Sequence, residues 1–513
     1  MKKSALLLPV LISLVFTPLF YRQQAGLNVL LFNLLLLALL VGFKRLSLHN
    51  RMQTIFGSGA LLSAAMTAVF GESAALFANV LSLILLAGAV SYPAMVVPLN
   101  GFIAAGISLL TGPITWLKQL GSLGNERSKT AGFFRLLTLI VVPLIVLIVF
   151  IMIYSAASPF FQKFTGNIAM WFSEWINHLF EWINPAIFFL SLAGLLLGMI
   201  FFFGKHFSRL TLFNEDRGEV LVRHRKPFSG RNTALKTEFR SGVILLVLLN
   251  LALGVMNVLD LIHVWVNFEW DGGYLKQFVH EGTWLLIWSI LISIAIVLWL
   301  FRGNLNFYSR HRILVILSGI WLAQNAFLAL SVAVRNMWYI HYFNLAFKRI
   351  WVFVFLIVVL YGLYTVTVKL RRRRTFQYLL IRNTLFAFAM IVLTGFFNWD
   401  AIIARYNVKH AGQAFFHTDF MMYLDSSTLP YLHLNTAILR KIDSVNKSGF
   451  PDHRYYASVQ IFQKHIRERS RNFKKGYPRL DWVALNISDV ITYRKLSRLP
   501  EAADPDQDAK LKK

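Results

Sequence analysis

The sequence predicts an all-α, polytopic membrane bundle of about eleven transmembrane helices, with a small helical extramembrane domain towards its C-terminal end. Three observations predict it. Of the 513 residues, 57% are hydrophobic and 15% are charged, whereas ordinary soluble domains carry roughly 25% charged residues; mean hydropathy is +0.56. Apolar runs of about 20 residues, each enough to cross a hydrocarbon core of about 30 Å, recur down the chain. Between two of the last runs lies Lys369-Leu370-Arg371-Arg372-Arg373-Arg374. Each of its cations would cost roughly 2.5–3.5 kcal/mol in hydrocarbon, so the run is expected in water, and by the positive-inside rule that water is cytoplasmic.

Fixing that loop fixes the others. Met1-Lys2-Lys3 and the apolar run 5–20 imitate a signal peptide, but a second run, 25–43, follows after only Tyr21-Arg22-Gln23-Gln24, so a helical hairpin is expected. Lys44, Arg45 and Arg51 return the chain to the basic side, and 52–70 with 74–90 form a second hairpin. The segment 100–117 is apolar but carries Gly101, Gly106, Gly112 and Pro113. If it does not cross, the cytoplasmic connections hold twenty-five Lys and Arg and the short outer ones six; if it crosses, the asymmetry reverses. It is therefore read as a cytoplasmic re-entrant or interfacial segment. The run 134–153 crosses outward, and 159–184 is expected as an amphipathic helix in the outer interface, with Trp171, Trp175 and Trp182 on one face. Crossings follow at 186–204, 241–259, 284–301, 313–334, 350–368 and 379–397, which leaves the N-terminus inside and the C-terminus outside.

The expected organisation is N-terminal transmembrane hairpins over 1–98, the interfacial segment over 99–133, a transmembrane pair with its outer amphipathic helix over 134–204, a basic cytoplasmic loop over 205–240, a C-terminal bundle over 241–397, an extracytoplasmic helical domain over 398–499 and a disordered tail over 500–513. In that domain helices are expected at 419–429, ending at Pro430, at 456–473, and at 481–496 after Pro478.

The polar residues inside apolar runs are the candidate chemistry. Asn250, Asn257 and Asp260 share one helical face, with His263 beyond them, and Gln324, Asn325 and Arg335 lie on the ninth crossing. Intramembrane ionisable groups face the bundle interior or a wet cavity and have partners. The functional reading is a polar cavity; the structural one is hydrogen bonding between helices. Asp260 and Arg335 both fall at the outer ends of outward-going helices, so a salt bridge between them is expected, with His263 or Tyr339 close by. Glu174, His178 and Glu181 have a spacing that could hold zinc, and equally make the wet face of an amphipathic helix. No cysteine is present, which removes disulfides and thiolate chemistry. No catalytic motif in credible context implies an enzyme or a cofactor.

Where the last crossing leaves the bilayer stand Asn398-Trp399-Asp400 and Arg405-Tyr406-Asn407, with an Asp400–Arg405 ion pair expected to hold the outer domain to the membrane. Together with 339–349 (Tyr339 to Arg349), Asp419, Tyr423-Leu424 and Leu429-Pro430, these residues resemble a family of bacterial multi-pass membrane proteins known only as domain of unknown function forty-one seventy-three. The resemblance covers about Phe239 to Leu432, with 342–346 departing from the family pattern. It implies a bacterial inner membrane and several crossings, and it implies no activity.

A net charge of +28 in a soluble protein would suggest nucleic acid. Here it is read as topological anchoring and contact with anionic lipids at the cytoplasmic face, without nucleic-acid binding. The favoured function is a non-enzymatic membrane scaffold or sensor with unidentified protein partners. The alternatives are a transporter with its cavity at Asn250, Asn257 and Asp260, and an enzyme acting on lipid-linked substrates at the outer leaflet.

Overall fold

The computed structural model describes residues 3–121, 184–206, 219–221, 232–268, 275–301, 304–449 and 457–499. Among them the secondary structure is helical, and the chain divides into two compact units, Met1–Asn214 with Leu480–Asn486, and Glu215–Arg479 with Ile487–Lys513. Among the described residues, eight helices are long and apolar enough to cross a membrane, and three apolar helices are shorter. This is a multi-span helical membrane protein. The sequence-predicted run 134–153, the amphipathic helix over 159–184 with Glu174, His178 and Glu181, most of the loop 205–240 and the tail 500–513 lie outside the described residues.

The first unit contains α1 (Leu8–Phe20), α2 (Leu27–Gly42), α3 (Arg51–Phe70), α4 (Ser73–Ser91), α5 (Leu99–Gly121) and α6 (Pro185–Phe203). Local signals set the ends. The Asn50 side chain caps α3 by accepting from the N–H groups of Met52 and Gln53. Asn184 caps α6, with Pro185 at its first position, where a missing N–H costs nothing. Water drives no helices together inside a bilayer, so association rests on close packing and hydrogen bonds. Gly194 and Gly198, four apart on α6, let its backbone touch α1: a Cβ at Gly198 would lie 2.5 Å from the Cα of Pro9. Asn33 of α2 and Asn79 of α4 exchange amide hydrogen bonds at 3.2 Å, and Asn79 also donates to the Ala60 carbonyl of α3 at 2.8 Å.

α5 departs from expectation. The sequence reading takes its glycines and Pro113 as breaks, yet one helix runs through all of them. Its contacts cluster at one end of its neighbours. Ser108 Oγ donates to Ser91 Oγ at the last residue of α4 (2.7 Å), Thr111 Oγ1 accepts from the Lys205 N–H just past α6 (3.4 Å), and Trp116 Nε1 donates to the Leu6 carbonyl just before α1 (2.9 Å). α5 therefore passes over the end of the unit where α1 begins and α4 and α6 finish. At the opposite end lies Leu480–Asn486, where the sequence reading placed the start of a helix. The Leu27 N–H donates to the Leu485 carbonyl at 3.0 Å. Gln23 bonds Asp481, and Asn486 abuts Gly71 in the α3–α4 turn. This strap leaves no room for a side chain at position 26, where a Cβ would meet the Ala484 carbonyl oxygen at 2.5 Å.

The second unit contains α7 (Asn232–Asp260), continued by a π-helical turn over Leu261–Val266, then α8 (Leu275–Leu300), α9 (His311–Phe343), α10 (Phe347–Arg372) and α11 (Phe376–Thr394). Its C-terminal helices are α12 (Trp399–Lys409), α13 (Thr418–Met422), α14 (Leu429–Leu432), α15 (Thr436–Gly449), α16 (Val459–Gly476) and α17 (Ile487–Arg498). Pro430 does not end a helix, as the sequence reading has it, but sits in the first turn of α14. These helices enclose Ile403, Phe416, Met421, Leu429, Phe462 and Leu496, and Ile350 of α10 joins the same core. The C-terminal helices thus share a core with the end of a membrane helix of their own unit.

The arginine run is not a free aqueous loop. α10 extends to Arg372, so only three residues separate it from α11, and Lys369 is buried. Cations in the last helical turn also meet the negative end of the helix dipole. Arg374 pairs with Glu219 at 3.1 Å, and the Leu221 and Thr375 N–H groups donate to the carbonyls of Arg373 and Glu219, both at 2.9 Å. Arg371 and Arg372 are the exposed members of the run.

Candidate functional site

α7 and the turn that continues it bury one stripe against α9: Leu246, Leu253, Asn257, Asp260 and Val264, spaced seven, four, three and four residues apart. Its other faces expose Leu248, Leu251, Val255 and Val258. The stripe explains the polar residues. The two helices run parallel, because each contact pairs a residue of α7 with one about 66–75 positions later. Asn250 donates to the Leu317 carbonyl (3.1 Å) and accepts from Gln324 Nε2 (3.2 Å); Asn257 donates to the Gln324 carbonyl (3.2 Å). One step on, the Arg335 guanidinium donates to Asp260 Oδ1, with the side chains 5% and 3% exposed. The pair expected from the shared depth of these residues therefore forms.

Beyond it the α-helix widens into the π turn, whose Asn267 N–H reaches back five residues to the Ile262 carbonyl at 2.9 Å. The buried face passes to Val264, whose carbonyl accepts from Trp338 Nε1 (2.9 Å), while Trp265 donates to Ser331 Oγ (3.0 Å) and stacks on Phe327. Of His263 and Tyr339, either expected close to the pair, His263 is exposed. Asn325 is fully buried but lies off the seam, donating to its own helix at the Trp321 carbonyl (2.8 Å). Several buried polar atoms along the seam and behind it have no hydrogen-bond partner among the described residues: Asn257 Oδ1, Asp260 Oδ2, Gln324 Oε1, Ser318 Oγ, Trp321 Nε1 and Asn325 Oδ1.

The second group of sequence-predicted residues clamps the α9–α10 turn to α12. Asn407 accepts from the Leu345 N–H (2.8 Å) and donates to the Leu345 carbonyl (3.0 Å), bonding both backbone polar groups of one residue. Asn344, at φ 62°, donates to the Phe415 carbonyl. Tyr339 is buried beneath the Arg349 guanidinium, 4.3 Å from its ring centre, and Arg349 ties the carbonyls of Phe343 and Asn344. Asn398 caps α12 by accepting from the Ala401 N–H (2.7 Å). The Asp400–Arg405 ion pair does not form. Five positions apart on a helix the two side chains diverge: Asp400 is buried and accepts from the Asp425 N–H (2.9 Å), whereas Arg405 is exposed and donates to the Tyr431 hydroxyl. Tyr406 and His341 line an open, mainly apolar groove of about 530 Å³ with Met337, Trp338, Leu345 and Phe353.

Among the described residues no group of three or more His, Asp and Glu could hold a metal ion. Sequence reasoning missed the Asn33–Asn79 exchange, though each is an amide inside an apolar run. It also missed the Gly194–Gly198 contact, which the four-residue spacing signals. Tyr431 and Lys495 carried no signal, since three separate helices bring them to Arg405.

No curated protein and no solved structure matches the chain. A family model does, over residues 29–434. It is not the family numbered forty-one seventy-three, and it extends well before Phe239, into the first unit. The chain belongs to the family described as Domain of unknown function (DUF4153).

Proposed function

We propose that this protein is a non-enzymatic scaffold of a bacterial inner membrane. It holds its C-terminal helices at the extracytoplasmic face and keeps its N-terminus and α5 at the cytoplasmic one. The observation that carries this is the α7–α9 seam, whose polar side chains are engaged with each other across the helices rather than arrayed around a passage. The separation of α5 and the strap to opposite ends of the first unit supports the opposed faces, and the bias of Lys and Arg to one set of connections supports the assignment of sides. Exposed Arg371 and Arg372 fit contact with anionic cytoplasmic lipids.

The permease reading keeps one observation in its favour, the buried polar atoms at Asn257, Gln324 and Asn325 that have no partner among the described residues, which water in a passage would satisfy. Because the chain has no cysteine, single cysteines report cleanly. In intact spheroplasts, an impermeant thiol reagent should label Ser444→Cys and leave Leu48→Cys unlabelled. Asn250→Cys, Asn257→Cys and Gln324→Cys should stay unlabelled from both sides in inverted and upright vesicles. Labelling at the last three would replace the scaffold with a permease.

A further inference from the structure

We infer that Arg405, Tyr431 and Lys495 form a binding site for the phosphate of an anionic phospholipid. Three helices build it. Arg405 of α12 and Lys495 of α17 both donate to the Tyr431 hydroxyl of α14, Lys495 at 2.9 Å. Both cations also stand over its ring, 4.5 and 4.9 Å from the centre. The neighbours Ala404, Leu432 and Leu496 are 0%, 1% and 1% exposed in one core, so the three polar groups are held in place before any ligand arrives.

Two cations converging on one neutral oxygen repel each other, and among the described residues neither has a carboxylate at ion-pair distance. The local acids are committed elsewhere: Asp400 accepts from the Asp425 N–H, Asp425 from Ser427, and Asp419 from Ala457. The Tyr431 oxygen is already an acceptor twice over, so its own proton is free to be donated outward. A phosphate would take that proton as a hydrogen bond, use the remaining N–H groups of Arg405 and Lys495, and cancel the repulsion. Burial pushes the Tyr431 phenol up, but the hydrogen bonds and charges of Lys495 and Arg405 outweigh it and hold the phenol below its ordinary value, as expected of a positively charged pocket.

The position selects a lipid over free phosphate. Trp399 donates to the Thr394 carbonyl at 2.8 Å, fixing the start of α12 to the end of membrane helix α11. Asn398 bonds Ser488 (3.2 Å), so α12 and α17 both begin at that boundary. Arg405 lies six residues past Trp399, at most about 9 Å along the helix, which is close to the head-group layer that extends roughly 5–8 Å beyond the hydrocarbon. Between the boundary and the cations, Ile402, Ile487 and Ile491 are exposed, an apolar strip suited to the upper part of an acyl chain. The inference rests on the membrane boundary assumed for the scaffold but not on the absence of transport.

The test uses the full-length protein, purified and delipidated in a non-ionic detergent, with phosphatidylglycerol, diacylglycerol of the same chains and inorganic phosphate as probes. Retained lipid is read by native mass spectrometry, and thermal unfolding confirms that each variant is folded. Phosphatidylglycerol should bind and diacylglycerol should not, and Arg405→Gln and Lys495→Gln should each weaken the tightest phosphatidylglycerol by about tenfold or more. Tyr431→Phe should weaken it less. Inorganic phosphate that competes as well as the lipid overturns the lipid assignment. Unchanged phosphatidylglycerol affinity in the folded Arg405→Gln/Lys495→Gln variant overturns the site.

Discussion

The two units join membrane helices by different means. In the first, α6 lies on α1 through Gly194 and Gly198, and the amides of Asn33 and Asn79 satisfy one another across α2 and α4. In the second, the parallel helices α7 and α9 meet through a ladder of amides ending in a buried ion pair, and along it they keep polar atoms that have no partner among the described residues. Glycine contacts depend on shape, and their energy is spread over many weak dispersion contacts. A charged contact concentrates its energy in one pair, and losing half of it strands a charge in hydrocarbon. The first unit should therefore respond to added volume and the second to removed charge.

The largest effect is expected from Arg335→Gln. It leaves Asp260 buried at 3% exposure with no cation, at a cost of about 3–5 kcal/mol, read as a fall in the thermal midpoint or as loss of monodisperse protein in detergent. A midpoint near that of the unaltered protein would make the pair incidental. Next, Gly198→Val should cost about 1–3 kcal/mol, because its side chain must enter space held by the Pro9 backbone; Gly42→Val, where a Cβ meets nothing, is the control and should be close to neutral. Asn79→Ala should cost about 1–2 kcal/mol by leaving the Asn33 amide half satisfied. The smallest change is Ser331→Ala, which removes one hydrogen bond from Trp265 and should cost about 0.6 kcal/mol. If Gly198→Val is tolerated while Ser331→Ala is not, the contrast between the units is drawn the wrong way round.

What could be read in the sequence was local or periodic. Asn250, Asn257 and Asp260 share a face by spacing alone, and the depth shared by Asp260 and Arg335 follows from counting crossings, so their pairing was legible. His263 is exposed because the π turn after Asp260 hands the buried face to Val264, and nothing in the residues 261–266 announces a π turn. Gly112 and Pro113 were misread because glycine and proline lose their breaking power once neighbouring helices hold the backbone, as α4 and α6 hold α5. The arginine run was read as wholly aqueous, although only three residues lie between α10 and α11 and Glu219 comes from a distant loop to meet it. The strap Leu480–Asn486 and the meeting of Arg405, Tyr431 and Lys495 depend on contacts tens to hundreds of residues apart, which one sequence does not encode in any visible period.

In the proposed scaffold the α7–α9 seam is a closed structural contact fastened by Asp260 and Arg335. A double-mutant cycle on thermal stability in detergent tests it most directly, using Asp260→Asn, Arg335→Gln and the two together. The double variant should be less destabilised than the sum of the single ones, with a coupling of about 1–3 kcal/mol. Strictly additive losses would contradict it, because they would mean that the two side chains support the bundle independently and that the seam is not closed by their contact.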